Sequence, residues 1–518
     1  MLTRRELLGA TAALAAAPRT AADWQALARH EVPDWFRDAK FGIWAHWGPQ
    51  CVPEHGDWYG RLMYVQGHDA YEHHLRTYGH PSRTGFLDII GRWRAEAWEP
   101  ERLIGLYRKA GARYFVAMAN HHDNFDNFDS AHHAWNSVRV GPKRDIAGTW
   151  AKAARAAGLR FGVSNHSAHA WHWWQTAYGY DAEGPMAGRR YDAFRLRKAD
   201  GRGTFWDGLD PQELYTGPAF VPPDGIASVK AMNAWHDARD GRWMEYVPPH
   251  NPRFAAHWLL RQKDLVVKYR PDLVYLDDSR LPFGRVGIEA AAHFYDAAPE
   301  GVLTAKQLSP FQRHAIVEDV ERGFVEETRD AAWQTDTCLG NWHYDRRIFD
   351  THGYKSAKQV VQRLADVVAK NGNLLLSVPV RGNGTIDSDE EAILADLAAW
   401  FARNGEAIHG TRPWRSFGEG PTKVKAGVMN EGEAAAFTAQ DVRYTIRGGA
   451  LHAILLDWPQ RPTLLTALPS RAARVEHVEL LGGPDLRFSQ DEAGLRLTLP
   501  SRDGGAFVPV VRIFGRGL

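Results

Sequence analysis

The sequence predicts an α/β protein, a TIM-like (β/α)8 barrel followed by a C-terminal β-sandwich. Three observations carry this expectation. Short continuous apolar runs alternate with helical patterns through most of the chain, as in a parallel sheet buried on both faces. Several of these runs end in histidine or aspartate, the residues expected where barrel strands open onto an active site. Near 404–422 the helical pattern stops and short alternating runs take over, and 518 residues suffice for a large barrel and a smaller module.

Taken in order, the N-terminus "MLTRRELLGATAALAAAPRTAADW" has paired Arg4 and Arg5 before an apolar run from Leu7 to Ala17, the pattern of a twin-arginine export signal over residues 1–22. That run is too short for the roughly 20 residues of a membrane span, so a periplasmic or secreted protein with no membrane partner is expected. The barrel is expected over 23–410. Its strands are signalled by "KFGIWAHW" (40–47), "RYFVAMANHHD" (113–123), "LRFGVSNHS" (159–167), "DLVYLDDS" (272–279) and "GNLLLSVPVRG" (372–382). Between them, 144–158 and 254–269 show apolar residues at helical spacing. A Trp-rich, Gly/Pro-punctuated insertion over about 168–250 is too long for an ordinary loop and is expected to cover the barrel mouth. The sandwich is expected over 411–518, from runs such as "LHAILLDW", "LRLTLP" and "AFVPVVRIF".

Composition narrows the function. Lys plus Arg (63) and Asp plus Glu (62) nearly cancel and no basic run interleaves with aromatics, which argues against a nucleic-acid partner. Only Cys51 and Cys338 are present, so stability must come from the core rather than a disulfide scaffold. The 21 tryptophans are either core or flat faces for the apolar sides of sugar rings.

Within "YFVAMANHHDNFDNFDS" (114–130), His121 and His122 follow a buried strand. Consecutive strand residues point to opposite faces, so the pair suits hydrogen bonding to a hydroxyl-rich ligand better than gripping one metal ion. Asp277 ends a strongly apolar run, where a carboxylate could serve as nucleophile or base. Cleavage of a glycosidic bond would need a second carboxyl group. The segment 314–345 offers Glu318, Asp319, Glu321, Glu326, Glu327 and Asp336, and position alone does not choose among them.

Several motifs together resemble the α-L-fucosidases of glycoside hydrolase family 29. They are "WFRDAKFGIWAHWGPQCVPEHGDWYGRLMY" (35–64), 114–146, "YRPDLVYLDD" (269–278), 355–387 and "NGEAIHGTRPW", in family order over roughly residues 30–422. The resemblance implies a retaining exo-α-L-fucosidase that acts on fucosylated oligosaccharides or glycoconjugates through a covalent fucosyl-enzyme, with no metal or cofactor. It makes Asp277 the nucleophile and His46, His121, His122, Asp57, Trp58 and Arg322 sugar ligands, with Arg322 also touching the nucleophile; Trp342 or another indole is then expected to cover the sugar's apolar face. The chain departs from the pattern twice. Where many relatives have a tyrosine after the third strand it reads "VSNHS", so Ser164, Asn165 or His166 must supply that contact. Where many have the acid/base glutamate it has Gln334, whose amide cannot donate a proton as a carboxylic acid does. Glu321 is then the first choice for the acid/base, followed by Asp336 and Glu318. The rival readings are a glycosidase for a related L-sugar such as L-galactose, a sugar-binding protein without catalysis, and a metal-dependent hydrolase.

Overall fold

The computed structural model of the chain describes residues 23–240, 252–502 and 507–518; the export segment expected over 1–22 and the 241–251 part of the insertion lie outside the described residues. Eight parallel strands close into a barrel in sequence order: β1 (Phe41–Ala45), β2 (Tyr114–Asn120), β3 (Arg160–Asn165), β4 (Leu273–Ser279), β5 (Val302–Lys306), β6 (Val317–Asp319), β7 (Trp333–Cys338) and β8 (Gly372–Ser377). β8 pairs back onto β1, with Phe41 opposite Leu374.

Strand alternation sorts these residues into two sets. One set fills the bore, where Trp44, Tyr114, Val116, Leu273, Tyr275, Val302, Val317 and Leu375 form a single buried cluster. The other set, including Ile43, Phe115, Val163, Val274, Leu303 and Leu374, packs outward against the helices. Gly42 is required by this packing, because a Cβ there would lie 2.3 Å from the Tyr114 ring. The outer helices include Pro100–Lys109, Ile146–Ala156, Pro252–Tyr269, Arg285–Ala297, Ala357–Ala369 and Ser388–Asn404. Asp145, Ser356 and Asp387 cap three of them by accepting from first-turn N–H groups. Most of the tryptophans are core: Trp47, Trp93, Trp98 and Trp150 pack against one another, Trp47 on Trp93 and Trp98 on Trp150 edge to face and Trp47 on Trp98 tilted, all buried.

Over 168–240 the insertion folds into short helices that carry buried Trp173 and Trp174 beside the strand ends, and Arg61 clamps it through Asp240 (3.1 Å). The C-terminal module has two antiparallel sheets. The larger has order β13-β16-β11-β10-β9, made of β9 (Arg412–Glu419), β10 (Val442–Arg447), β11 (Ala450–Leu455), β13 (Arg474–Leu480) and β16 (Val510–Arg516). The smaller has order β12-β15-β14, made of β12 (Thr463–Leu465), β14 (Phe488–Asp491) and β15 (Gly494–Leu497). Their inward residues share one core, including Trp414, Tyr444, Leu465, Leu495 and Ile513. Between β9 and β10 the chain leaves the sheet and reaches back to the barrel, where Gly427 bridges Phe324. Cys51 and Cys338 are both buried free thiols. Among the described residues no helix is long and apolar enough to cross a membrane.

Candidate active site

A cavity of about 380 Å³ opens at the strand C-terminal ends. Strand parity explains its lining. On β4 the bore-facing residues are Leu273 and Tyr275, so Asp277 is the next to point inward. On β5 the same parity runs from Val302 to Lys306. The Lys306 ammonium contacts Asp277 Oδ1 directly and lies 2.6 Å from Glu321 Oε2. Two short hydrogen bonds to one nitrogen hold the facing carboxylate oxygens within about 5 Å of each other.

Imidazoles enclose the other side of Asp277. His166 Nδ1 is 2.9 Å and His122 Nε2 3.6 Å from its Oδ2. His122 Nδ1 donates to the His166 carbonyl (2.7 Å), and His169 Nε2 donates to the Asp277 carbonyl (2.9 Å). His46 Nδ1 meets Ser377 Oγ (3.2 Å), while His121 Nδ1 accepts from Gln50 Nε2 (3.0 Å). Burial, reinforced by neighbouring histidines, pushes His46, His121 and His122 well below the ordinary histidine range, so these rings are neutral. Burial alone would raise the Asp277 carboxyl, yet the Lys306 ammonium and His166 outweigh it and hold Asp277 well below the usual carboxylate range.

His121 and His122 both line the cavity, which strict alternation would forbid. The register breaks between Met118 and Asn120, and the pair follows the strand end in a turn. The aspartates after it are structural. Asp123 accepts from Phe125 N–H (3.1 Å), and Asp126 takes a fork from buried Arg261 (3.1 and 2.6 Å) while Asn124 accepts from the same guanidinium (2.6 Å).

Asp57 and Trp58 line the cavity, and Asp57 also accepts the N–H groups of Trp342 (3.2 Å) and His343 (2.7 Å), which seats Trp342 at the mouth 5.0 Å from the His46 ring. Asp336 lies inward on β7, accepting from Tyr275 Oη (2.8 Å) and Arg322 N–H (3.2 Å). Burial first and nearby Glu321 second push its carboxyl up to about 7.

Four expected residues sit otherwise than the sequence suggested. Gln334 does not line the cavity. It lies one inward position deeper than Asp336, donating to Asp319 (2.7 Å) and accepting from Tyr114 Oη (3.1 Å). Glu318 has outward parity on β6 and is held by Arg313 (2.9 Å) and Arg329 (2.6 Å). Asn165 likewise points out of the bore, accepting from Trp258 Nε1 (3.1 Å), whereas adjacent His166 faces in. Arg322 lines the mouth, but its guanidinium faces Glu431 (3.5 Å), and Lys306 is the cation on Asp277. Lys306, Ser377, His343, Met429 and Glu431 were not anticipated. Inward parity at the end of "VLTAK" was the one signal that could have found Lys306.

His46, His121 and His166 bring ring nitrogens within 4.8 Å of one another, as do His122, His166 and Asp277, so either trio has the donor spacing of a metal site. The Lys306 ammonium already occupies one oxygen of Asp277.

Two carboxyl groups sharing a cation at a barrel mouth, beside neutral hydrogen-bonding rings, supply what glycosidic bond cleavage asks of a protein, and the class so defined is the glycoside hydrolases. The comparisons give the family. The family model for α-L-fucosidase matches residues 7–406 and that for the α-L-fucosidase C-terminal domain matches 436–511; the chain belongs to the α-L-fucosidase family. Tissue α-L-fucosidase of Macaca fascicularis is 28% identical over 504 residues, covering 95% of this chain and 91% of that one. The human tissue enzyme is 27% identical, covering 92% and 87%. Among solved structures, Thermotoga maritima α-fucosidase in complex with a mechanism-based inhibitor superposes with a TM-score of 0.69 at 25% identity, covering 95% of this chain and all of that one. The same enzyme in complex with fucose gives 0.68 at 25%, covering 96% and 100%.

Proposed function

We propose that this chain is an exported exo-α-L-fucosidase that removes terminal α-L-fucose from oligosaccharides or glycoconjugates with retention of configuration. The observation that carries the reading is the sharing of Lys306 by Asp277 and Glu321. The facing oxygens, held no more than about 5 Å apart, are too close for the inverting route at about 6.5–9.5 Å and side with the two-step route, whose carboxyls stand about 5–5.5 Å apart. In the first step an Asp277 oxygen bonds to the anomeric carbon as the bond to the glycosidic oxygen breaks, and the Glu321 proton passes to that oxygen. In the second, Glu321 takes a proton from water, whose oxygen displaces Asp277 from the anomeric carbon and releases fucose. His46, His121, His122, His166, Asp57 and Trp58 bind the sugar hydroxyls, and Trp342 covers its apolar face. Glu321 is preferred to Asp336 as acid/base because its side chain is 23% exposed toward the mouth, whereas both Asp336 oxygens are engaged inside. The scheme uses the chain's own groups alone. Paired Arg4 and Arg5 before an apolar run support export through a twin-arginine route.

The test is the initial rate on an aryl α-L-fucoside beside Asp277→Ala. Turnover abolished by the substitution is expected. Wild-type protein inert on this substrate would refute the reading.

A further inference from the structure

The excursion between β9 and β10 is seated on the loop that carries Glu321. Phe324 and Gly427 exchange both backbone hydrogen bonds (3.1 and 3.2 Å), Met429 N–H donates to the Glu321 carbonyl (2.8 Å), and Glu431 N–H donates to the Arg322 carbonyl (2.9 Å). Gly323 permits this approach, since a Cβ there would lie 2.0 Å from the Gly427 oxygen. Glu431 anchors the far end, accepting from Thr337 Oγ1 (2.8 and 3.0 Å) with Lys355 at 3.4 Å and Arg322 at 3.5 Å. Pinned between these contacts, Met429 holds a left-handed backbone (φ 57°) that an unbranched non-glycine residue adopts only when its surroundings over-determine it. The residue nonetheless remains 57% exposed and lines the cavity beside Glu321, Arg322 and Gln307. Among the described residues, no other lining residue comes from the C-terminal module.

We propose that Met429 forms an apolar wall of the site that receives the leaving group, so that the C-terminal module sets preference for what is attached to the fucose. The inference rests on the fucosidase reading above. An acid/base must reach the glycosidic oxygen, so the group beyond that oxygen passes the solvent side of Glu321, opposite the buried imidazoles that hold the sugar. Met429, lining the cavity beside Glu321 and exposed to solvent, stands on that side. A flexible, polarizable thioether suits aromatic or sugar-ring faces of varied shape.

The test compares kcat/KM on an aryl α-L-fucoside with kcat/KM on α-L-fucosyl fluoride, whose leaving group is a single atom. Met429→Ala is expected to lower the aryl-to-fluoride ratio roughly 3- to 10-fold, mainly through KM, from the loss of part of one apolar side chain's contact. Met429→Leu, of similar volume, should restore the ratio. An unchanged ratio, or one that Leu fails to restore, would overturn the proposal. Wild-type protein unable to hydrolyse the fluoride would overturn the fucosidase reading instead, and this proposal with it.

Discussion

Lys306 and Asp277, at the ends of neighbouring strands β5 and β4, form an ion pair inside the barrel mouth. Because the same ammonium also meets Glu321, one side chain sets both the charge of the proposed nucleophile and its closeness to the proposed acid/base. A buried carboxylate without such a partner would rise toward its neutral form.

Lys306→Met should therefore move the acid limb of the kcat/KM profile upward by roughly 1 to 3 pH units. Asp277 is now held well below the ordinary range. Removing the cation withdraws what favours the ionised form, so protonation and loss of the nucleophile begin at higher pH. A pH profile on an aryl fucoside checks this, and an unmoved limb would show that Lys306 does not set the ionisation of Asp277.

Substituting Glu321 and Glu318 in turn separates these two candidate acids. Glu321→Gln should lower turnover of substrates with poor leaving groups by roughly 10²- to 10⁴-fold, spare fucosyl fluoride, and recover with added azide. Glu318→Gln should leave these rates within about 2-fold, because Glu318 is bound to Arg313 and Arg329 outside the cavity. The reverse pattern would exchange their roles.

Gln334→Glu should not enhance activity. It would set a second carboxyl against Asp319, whose own carboxyl is already raised by burial and Asp336. The expected result is a loss of roughly 1–3 kcal/mol in a urea melt, with no gain on poor leaving groups. A gain would mean that this deep position reaches substrate.

Arg261→Met removes a buried guanidinium that forks onto Asp126 and reaches Asn124. It should cost about 3–5 kcal/mol, since Asp126 would be left buried and uncompensated. Loss of kcat in the surviving folded fraction would show that this fork positions the His121–His122 turn. An Arg261→Met/Asp126→Asn double variant that regains stability would attribute the cost to the stranded charge.

The parts legible in sequence were those written in local pattern. Asp277, His46 and the histidine pair stand at the ends of long apolar runs, and such ends open onto a barrel mouth. Lys306 was hidden because β5 is only five residues long and its run resembles any short apolar stretch. The choice among Glu318, Glu321 and Asp336 needed strand boundaries, since parity sends Glu318 outward and Asp336 inward, and shifting a boundary by one residue would exchange the two faces. Gln334 was marked as the seat of the missing acid by the resemblance alone, and sequence order gives no depth along the bore to correct it. Met429 and Glu431 reach the site through pairing across about a hundred residues, which no local pattern encodes.

The central claim, that Asp277 carries the glycosyl group, is tested most directly by trapping the intermediate. The wild-type protein is incubated with a 2-deoxy-2-fluoro-α-L-fucosyl donor bearing a good leaving group, digested, and its peptides weighed. The account predicts one sugar adduct on the peptide containing "DLVYLDD", assigned by fragmentation to Asp277 and absent from Asp277→Ala. An adduct on Glu321, Asp336 or any other residue, or turnover of the donor with no adduct at all, would contradict it.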